Sequence, residues 1–170
     1  MKMKIQSGIL TFIALLVLVS ASMAQSEFSD PNAEYLFSLP SDSWKMTVKP
    51  SQMSPNVEYV YNFRREGHLE IRKSSVDQNA PFSEIIREEE QKLQFVPGFV
   101  AGREENFKGS LSGRIFNYEY VRSGRNMSGR FYFLKADLTT VYILRFTGEK
   151  NSLRSLRNET DQIARTFRLK

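Results

Sequence analysis

Apolar and polar residues along the chain follow two periods, and their succession predicts the elements. Tyr35-Leu36-Phe37-Ser38-Leu39 reads as a strand stopped by Pro40, which has no amide hydrogen to give a ladder. Trp44, Met46 and Val48 alternate with Lys45 and Thr47, the period of a half-buried strand. After a Ser/Pro/Asn loop over 51–56, Val57, Tyr59, Tyr61 and Phe63 share one strand face. Arg65-Glu66-Gly67 then turns the chain into the alternating His68-Leu69-Glu70-Ile71-Arg72, which makes a hairpin.

The period changes after Asn79, a candidate cap, and Pro81. Phe82, Ile85, Ile86, Leu93 and Val96 fall near one helical face, while Glu84, Glu88, Glu90 and Lys92 lie largely off it; Pro97-Gly98 ends the helix. Residues 102–109 are polar and read as a loop. Strands follow around Ile115–Tyr120, Arg130–Leu134 and Thr139–Phe146, the last apolar on both faces and so expected in mid-sheet. Leu153, Leu156, Ile163 and Phe167 then mark the apolar stripe of a final helix. Hairpins outnumber helical crossovers. The fold class expected is α+β: a single, largely antiparallel sheet of about seven strands with two helices packed on it.

The first residues add a compartment. Lys2 and Lys4 precede an apolar run from Ile9 to Val19, and Ser22-Met23-Ala24 closes it with a small-x-small end, so residues 1–24 read as a signal peptide cleaved after Ala24. The run is shorter than the ~20 residues of a spanning helix, so no stable membrane anchor is expected after cleavage. Residues 25–33 read as a flexible lead and 34–170 as one domain. The chain contains no cysteine, so neither lipidation nor a disulfide framework enters, and packing alone must hold the domain. Secretion or a periplasmic location is expected.

Charge changes the picture little. Removing residues 1–24 takes away Lys2 and Lys4 and no acid, lowering the net charge from +5 to about +3, too small an excess to point to nucleic acid. Aromatic residues such as Phe116, Tyr118, Tyr120, Tyr132, Phe133 and Tyr142, interleaved with Arg114, Arg122 and Arg130, have the composition of a base-stacking platform. Core packing explains them more cheaply, and no nucleic-acid partner is expected.

Candidate chemistry is sparse. His68 is the single histidine and reads as a turn residue; no Gly-x-Ser-x-Gly elbow accompanies it. Glu88-Glu89-Glu90 cannot converge on one atom, because consecutive helical residues point about 100° apart, and the three read as a solvated face. No metal or cofactor site is expected. The turn running from Arg122 through Ser123-Gly124-Arg125 to Gly129-Arg130 is the one local feature with chemistry. Its three guanidinium groups, Arg122, Arg125 and Arg130, form a candidate anion-binding turn. Asn126-Met127-Ser128 and Asn158-Glu159-Thr160 fit the glycosylation pattern, which matters only in a eukaryotic secretory route.

Tyr35, Phe37, Leu39, Pro40 and Trp44 at the start, Phe82-Ser83-Glu84 opening the first helix and Thr140–Phe146 before the last helix together resemble the PsbP-like fold, which includes bacterial periplasmic DcrB-like proteins. The resemblance covers almost the whole mature chain and is one of pattern. It implies an α/β sandwich acting as a non-enzymatic accessory or binding domain, as photosystem subunits, a Ran-binding protein and envelope proteins of that fold do. It carries over no binding residue. The expected function is therefore an exported binding or accessory module that engages a protein or an envelope component. The alternatives are a small-molecule carrier with an apolar pocket between sheet and helices, and a hydrolase built on His68 with dispersed Ser and Asp.

Overall fold

A computed structural model describes residues 26–170. The export signal over 1–24 and the cleavage point after Ala24 lie outside them. The described chain runs β1 (Ser26–Ser29), β2 (Tyr35–Leu39), β3 (Trp44–Val48), β4 (Val57–Tyr61), β5 (Gly67–Ser75), α1 (Phe82–Leu93), β6 (Val100–Lys108), β7 (Ser112–Arg122), β8 (Arg125–Lys135), β9 (Thr140–Glu149), α2 (Lys150–Ser155), α3 (Arg157–Thr166) and β10 (Arg168–Leu169).

Seven strands form the large sheet in the order β3-β4-β5-β9-β8-β7-β6, every neighbouring pair antiparallel. β9, apolar on both faces, lies inside this sheet between β5 and β8. The fold is α+β, as its patterning requires.

Four features differ from the expectation. The Tyr35–Leu39 strand leaves the large sheet and sits in a second, three-stranded sheet between β1 and β10. Where a flexible lead was expected, β1 pairs with β2, and Phe28 is buried against Phe37 with ring centroids 4.8 Å apart. All of the supposed loop over 102–109 except Gly109 falls in β6, an edge strand. Its polar Arg103-Glu104-Glu105-Asn106 run conceals the strand in the sequence because an edge is solvated and is commonly charged. The final helix is also divided into α2 and α3 at Leu156.

Strand alternation makes two cores, one on each face of the large sheet. On the first face, Tyr59, Leu69, Tyr132, Leu144 and Phe146 pack against Phe37 of the small sheet and Leu156, Ile163 and Phe167 of the C-terminal segment. On the second, Phe116, Tyr118, Phe131, Phe133, Val141 and Ile143 pack against Ile85, Ile86 and Leu93 of α1. The layers are thus small sheet with α2 and α3, large sheet, then α1.

Candidate functional site

α1 leaves one end of the second face open. There β5 and β8 begin while β4, β7 and β9 end, and a groove of about 470 Å³ opens. Five arginines line it: Arg64 and Arg65 from the β4–β5 turn, Arg122 and Arg125 from the β7–β8 turn, and Arg145 from β9. Glu58, His68, Glu70, Ser123 and Thr147 complete much of its polar lining.

Both turns are built to hold their arginines in place. In the β7–β8 turn, Arg122 pairs with Arg125, and the two residues between them have positive φ, 50° at Ser123 and 72° at Gly124. This is the left-handed conformation a two-residue hairpin needs, and glycine supplies it at Gly124, where nothing crowds the site of an added Cβ. In the β4–β5 turn, Asn62 takes the left-handed conformation that asparagine tolerates. The Glu149 amide donates to the Arg65 carbonyl at 2.7 Å, fastening that turn to the end of β9.

Arg145 is the most enclosed of the five. Its Nε donates to the Tyr118 hydroxyl at 2.9 Å, its guanidinium carbon lies 5.5 Å from the Phe131 ring centroid, and Glu70 is 4.0 Å away. Gly129 makes this seat possible, because a Cβ there would come within 2.0 Å of the Tyr118 ring. Burial pushes the Tyr118 hydroxyl up to about 12, so it remains protonated at neutral pH. Glu58 accepts from His68 Nε2 at 2.8 Å and lies 3.5 Å from Arg64, and Arg125 bonds Glu149 at 2.5 Å. Arg65 and Arg122 have no carboxylate partner among the described residues. The groove therefore presents a surplus of exposed positive charge.

His68 is no turn residue. It lies in β5 at 8% exposure, and burial lowers its pKa below the ordinary imidazole value while the Glu58 bond opposes that shift. Ser123 shares the groove, yet among the described residues no hydrogen bond joins it or any other serine to His68. Nucleophile and base are not assembled here. On the carrier alternative, the space between the large sheet and the C-terminal helices holds closely packed rings, such as Tyr142 and Phe167 at 5.0 Å and Tyr35 and Phe167 at 4.9 Å.

The candidate anion turn is divided by strand alternation. Arg122 and Arg125 face the groove, but Arg130 lies an odd number of residues from Arg125 on β8 and so projects from the opposite face. There it is buried and donates to the Tyr132 hydroxyl, to Asn117 and to Asp161, at 2.7, 2.8 and 3.0 Å. Arg130 thus belongs to a closed structural network. The glutamate run is corrected at its centre: Glu89 is 6% exposed and holds Arg72 of β5 and Lys92 of its own helix. The aromatic residues of the supposed stacking platform are buried.

Sequence reasoning missed Arg64, Arg65, Glu58, Glu70 and Arg145 as site residues. Arg145 carried a usable signal, a lone charge inside a strand apolar on both faces.

No family model matches the chain, and no curated protein matches it. Solved structures do. LpqN, involved in cell envelope biogenesis of Mycobacterium tuberculosis, superposes with a TM-score of 0.57 at 14% identity, covering 85% of this chain and 90% of its own. The cyanobacterial PsbP of Synechocystis gives 0.58 at 12% identity, covering 89% and 96%. Mog1 gives 0.58 at 11% identity, covering 86% and 96%. At such identities the likeness carries the fold alone. The chain has the PsbP-like fold, which its aromatic start and final strand resemble.

Proposed function

We propose that the protein is an exported, non-enzymatic binding or accessory module whose arginine-lined groove engages an anionic group carried by a protein or an envelope component. The convergence of Arg64, Arg65, Arg122, Arg125 and Arg145 from three separate segments carries this reading. Guanidinium forks suit carboxylates and phosphates, and two of the five have no carboxylate of their own among the described residues. Among the described residues no serine is bonded to His68, which favours binding over hydrolysis, and the involvement of LpqN in cell envelope biogenesis is in keeping with it.

Titration calorimetry with glycerol phosphate and with a polyglutamate peptide tests the reading. At least one should bind, more weakly as salt rises, and the double variant Arg65→Gln/Arg122→Gln should lower its affinity at least tenfold, roughly 1.4 kcal/mol. Equal affinity in the variant, or no binding of either anion, would overturn it.

A further inference from the structure

The same end of the molecule carries a second feature that a soluble anion leaves unexplained. Phe63, in the turn that bears Arg64 and Arg65, is 64% exposed. Phe95, just beyond α1, is 92% exposed. The two come from segments far apart in sequence, and the fold brings both to the groove end. The Val121 amide donates to the Pro97 carbonyl at 2.7 Å, and Val121 packs against Gly98, which ties the segment after α1 to the end of β7 beside Arg122. Exposed phenylalanines therefore accompany exposed arginines on the connections at one pole of the sheet. The opposite pole differs in charge: its β3–β4 connection exposes Met53 and its β8–β9 turn, residues 136–139, exposes Leu138 next to Asp137, but neither contains an arginine.

Resting on the anion-binding reading above, we propose that this pole docks on an anionic lipid surface. Phe63 and Phe95 enter the boundary between headgroups and acyl chains, and Arg64, Arg65, Arg122 and Arg125 meet lipid phosphates. Aromatic side chains gain free energy at that boundary and basic side chains gain it from anionic headgroups, so the two together hold a protein that does not span. Among the described residues no helix is long and apolar enough to cross a membrane. An acidic protein satisfies the arginines equally well, but phenylalanines on projecting connections fit a fluid interface that accepts them without a matching pocket.

The test is sedimentation with vesicles of phosphatidylglycerol or of phosphatidylcholine. The chain processed to Gln25 is used, because the apolar run of residues 9–19 would enter lipid unaided. It contains every residue of the described fold. Binding to phosphatidylglycerol and not to phosphatidylcholine is expected. Arg65→Gln/Arg122→Gln should weaken it about 25-fold, roughly fivefold per charge. Phe63→Ser/Phe95→Ser should weaken it roughly tenfold or more while leaving the affinity for glycerol phosphate unchanged. Both phenylalanines are exposed, and an unchanged thermal unfolding midpoint verifies that this variant folds. If glycerol phosphate or polyglutamate binds but phosphatidylglycerol vesicles do not, lipid docking fails and the anion-binding groove survives. If the phenylalanine variant sediments as the parent does, the docking pose fails. If neither vesicles nor soluble anions bind, both readings fail.

Discussion

The two faces of the large sheet are made by the same strands and end up with different chemistry. One is roofed by the small sheet and the C-terminal helices, and its interior is almost entirely rings and branched aliphatics. Its charged exception, Arg130, has a partner for each nitrogen. The other is roofed by α1 alone. A 12-residue helix is about 18 Å long and about 10 Å wide, while seven strands spaced ~4.8 Å apart span about 29 Å. One helix cannot cover such a sheet, so the surface beyond it must tolerate water. There the alternating positions of β4, β5 and β9 switch to Glu58, His68, Glu70, Arg145 and Thr147, and the groove is the result. A site arises where the covering layer runs out.

Neighbouring residues on β9 measure that contrast most directly. Phe146 faces the roofed core and Arg145 the groove. Phe146→Ala should cost about 3–5 kcal/mol through lost burial and an unfilled cavity. Arg145→Met, which keeps the volume and removes a half-exposed charge, should cost within about 1 kcal/mol. Urea denaturation of both variants checks the pair, and similar losses would contradict the division of the faces.

A smaller effect is expected at Gly129, where the apolar part of the second face meets the groove. Gly129→Ala sets a methyl group against the Tyr118 ring and should cost about 1–3 kcal/mol by overpacking. Much of that loss should return in Gly129→Ala/Tyr118→Ala relative to Tyr118→Ala alone. Additive losses in this double-mutant cycle would separate the glycine from the ring.

The smallest effect concerns pH. Burial lowers the His68 pKa, so the folded chain resists protonation that the unfolded chain accepts near pH ~6.5. Stability from this group is therefore full above that value and declines as pH falls toward the lowered folded value. Glu58, Arg64, Glu70 and Thr147 face the ring or border it across β4, the turn and β9, and the Glu58 bond opposes the shift and reduces the slope. The denaturation midpoint of His68→Gln should vary less than the parent's across that interval; an identical dependence would exclude His68 as its source.

Much of this architecture was legible residue by residue. The alternation at Tyr59, Leu69 and Ile71 and the helical spacing of Ile85, Ile86 and Leu93 identified the buried sides correctly. Arg130 could also have been assigned, since its odd offset from Arg125 already puts the two on opposite faces once Arg125 is known to lie in β8. The expected turn placed the start of that strand too late. β6 was hidden by its own charge, and Glu89 by two charged neighbours that do face solvent.

Periodicities of 2 and 3.6 residues are local, so the elements and their inward sides follow from neighbours along the chain. Strand order is not local. Joining β5 to β9 and β9 to β8 brings the Phe63–Arg65 turn to the Arg122–Arg125 turn across nearly sixty residues of sequence, and the tie between Val121 and Pro97 brings Phe95 to the same pole. That arrangement is chosen by the burial of both sheet faces at once. The groove appears in the assembled layers because it is the area those layers leave uncovered.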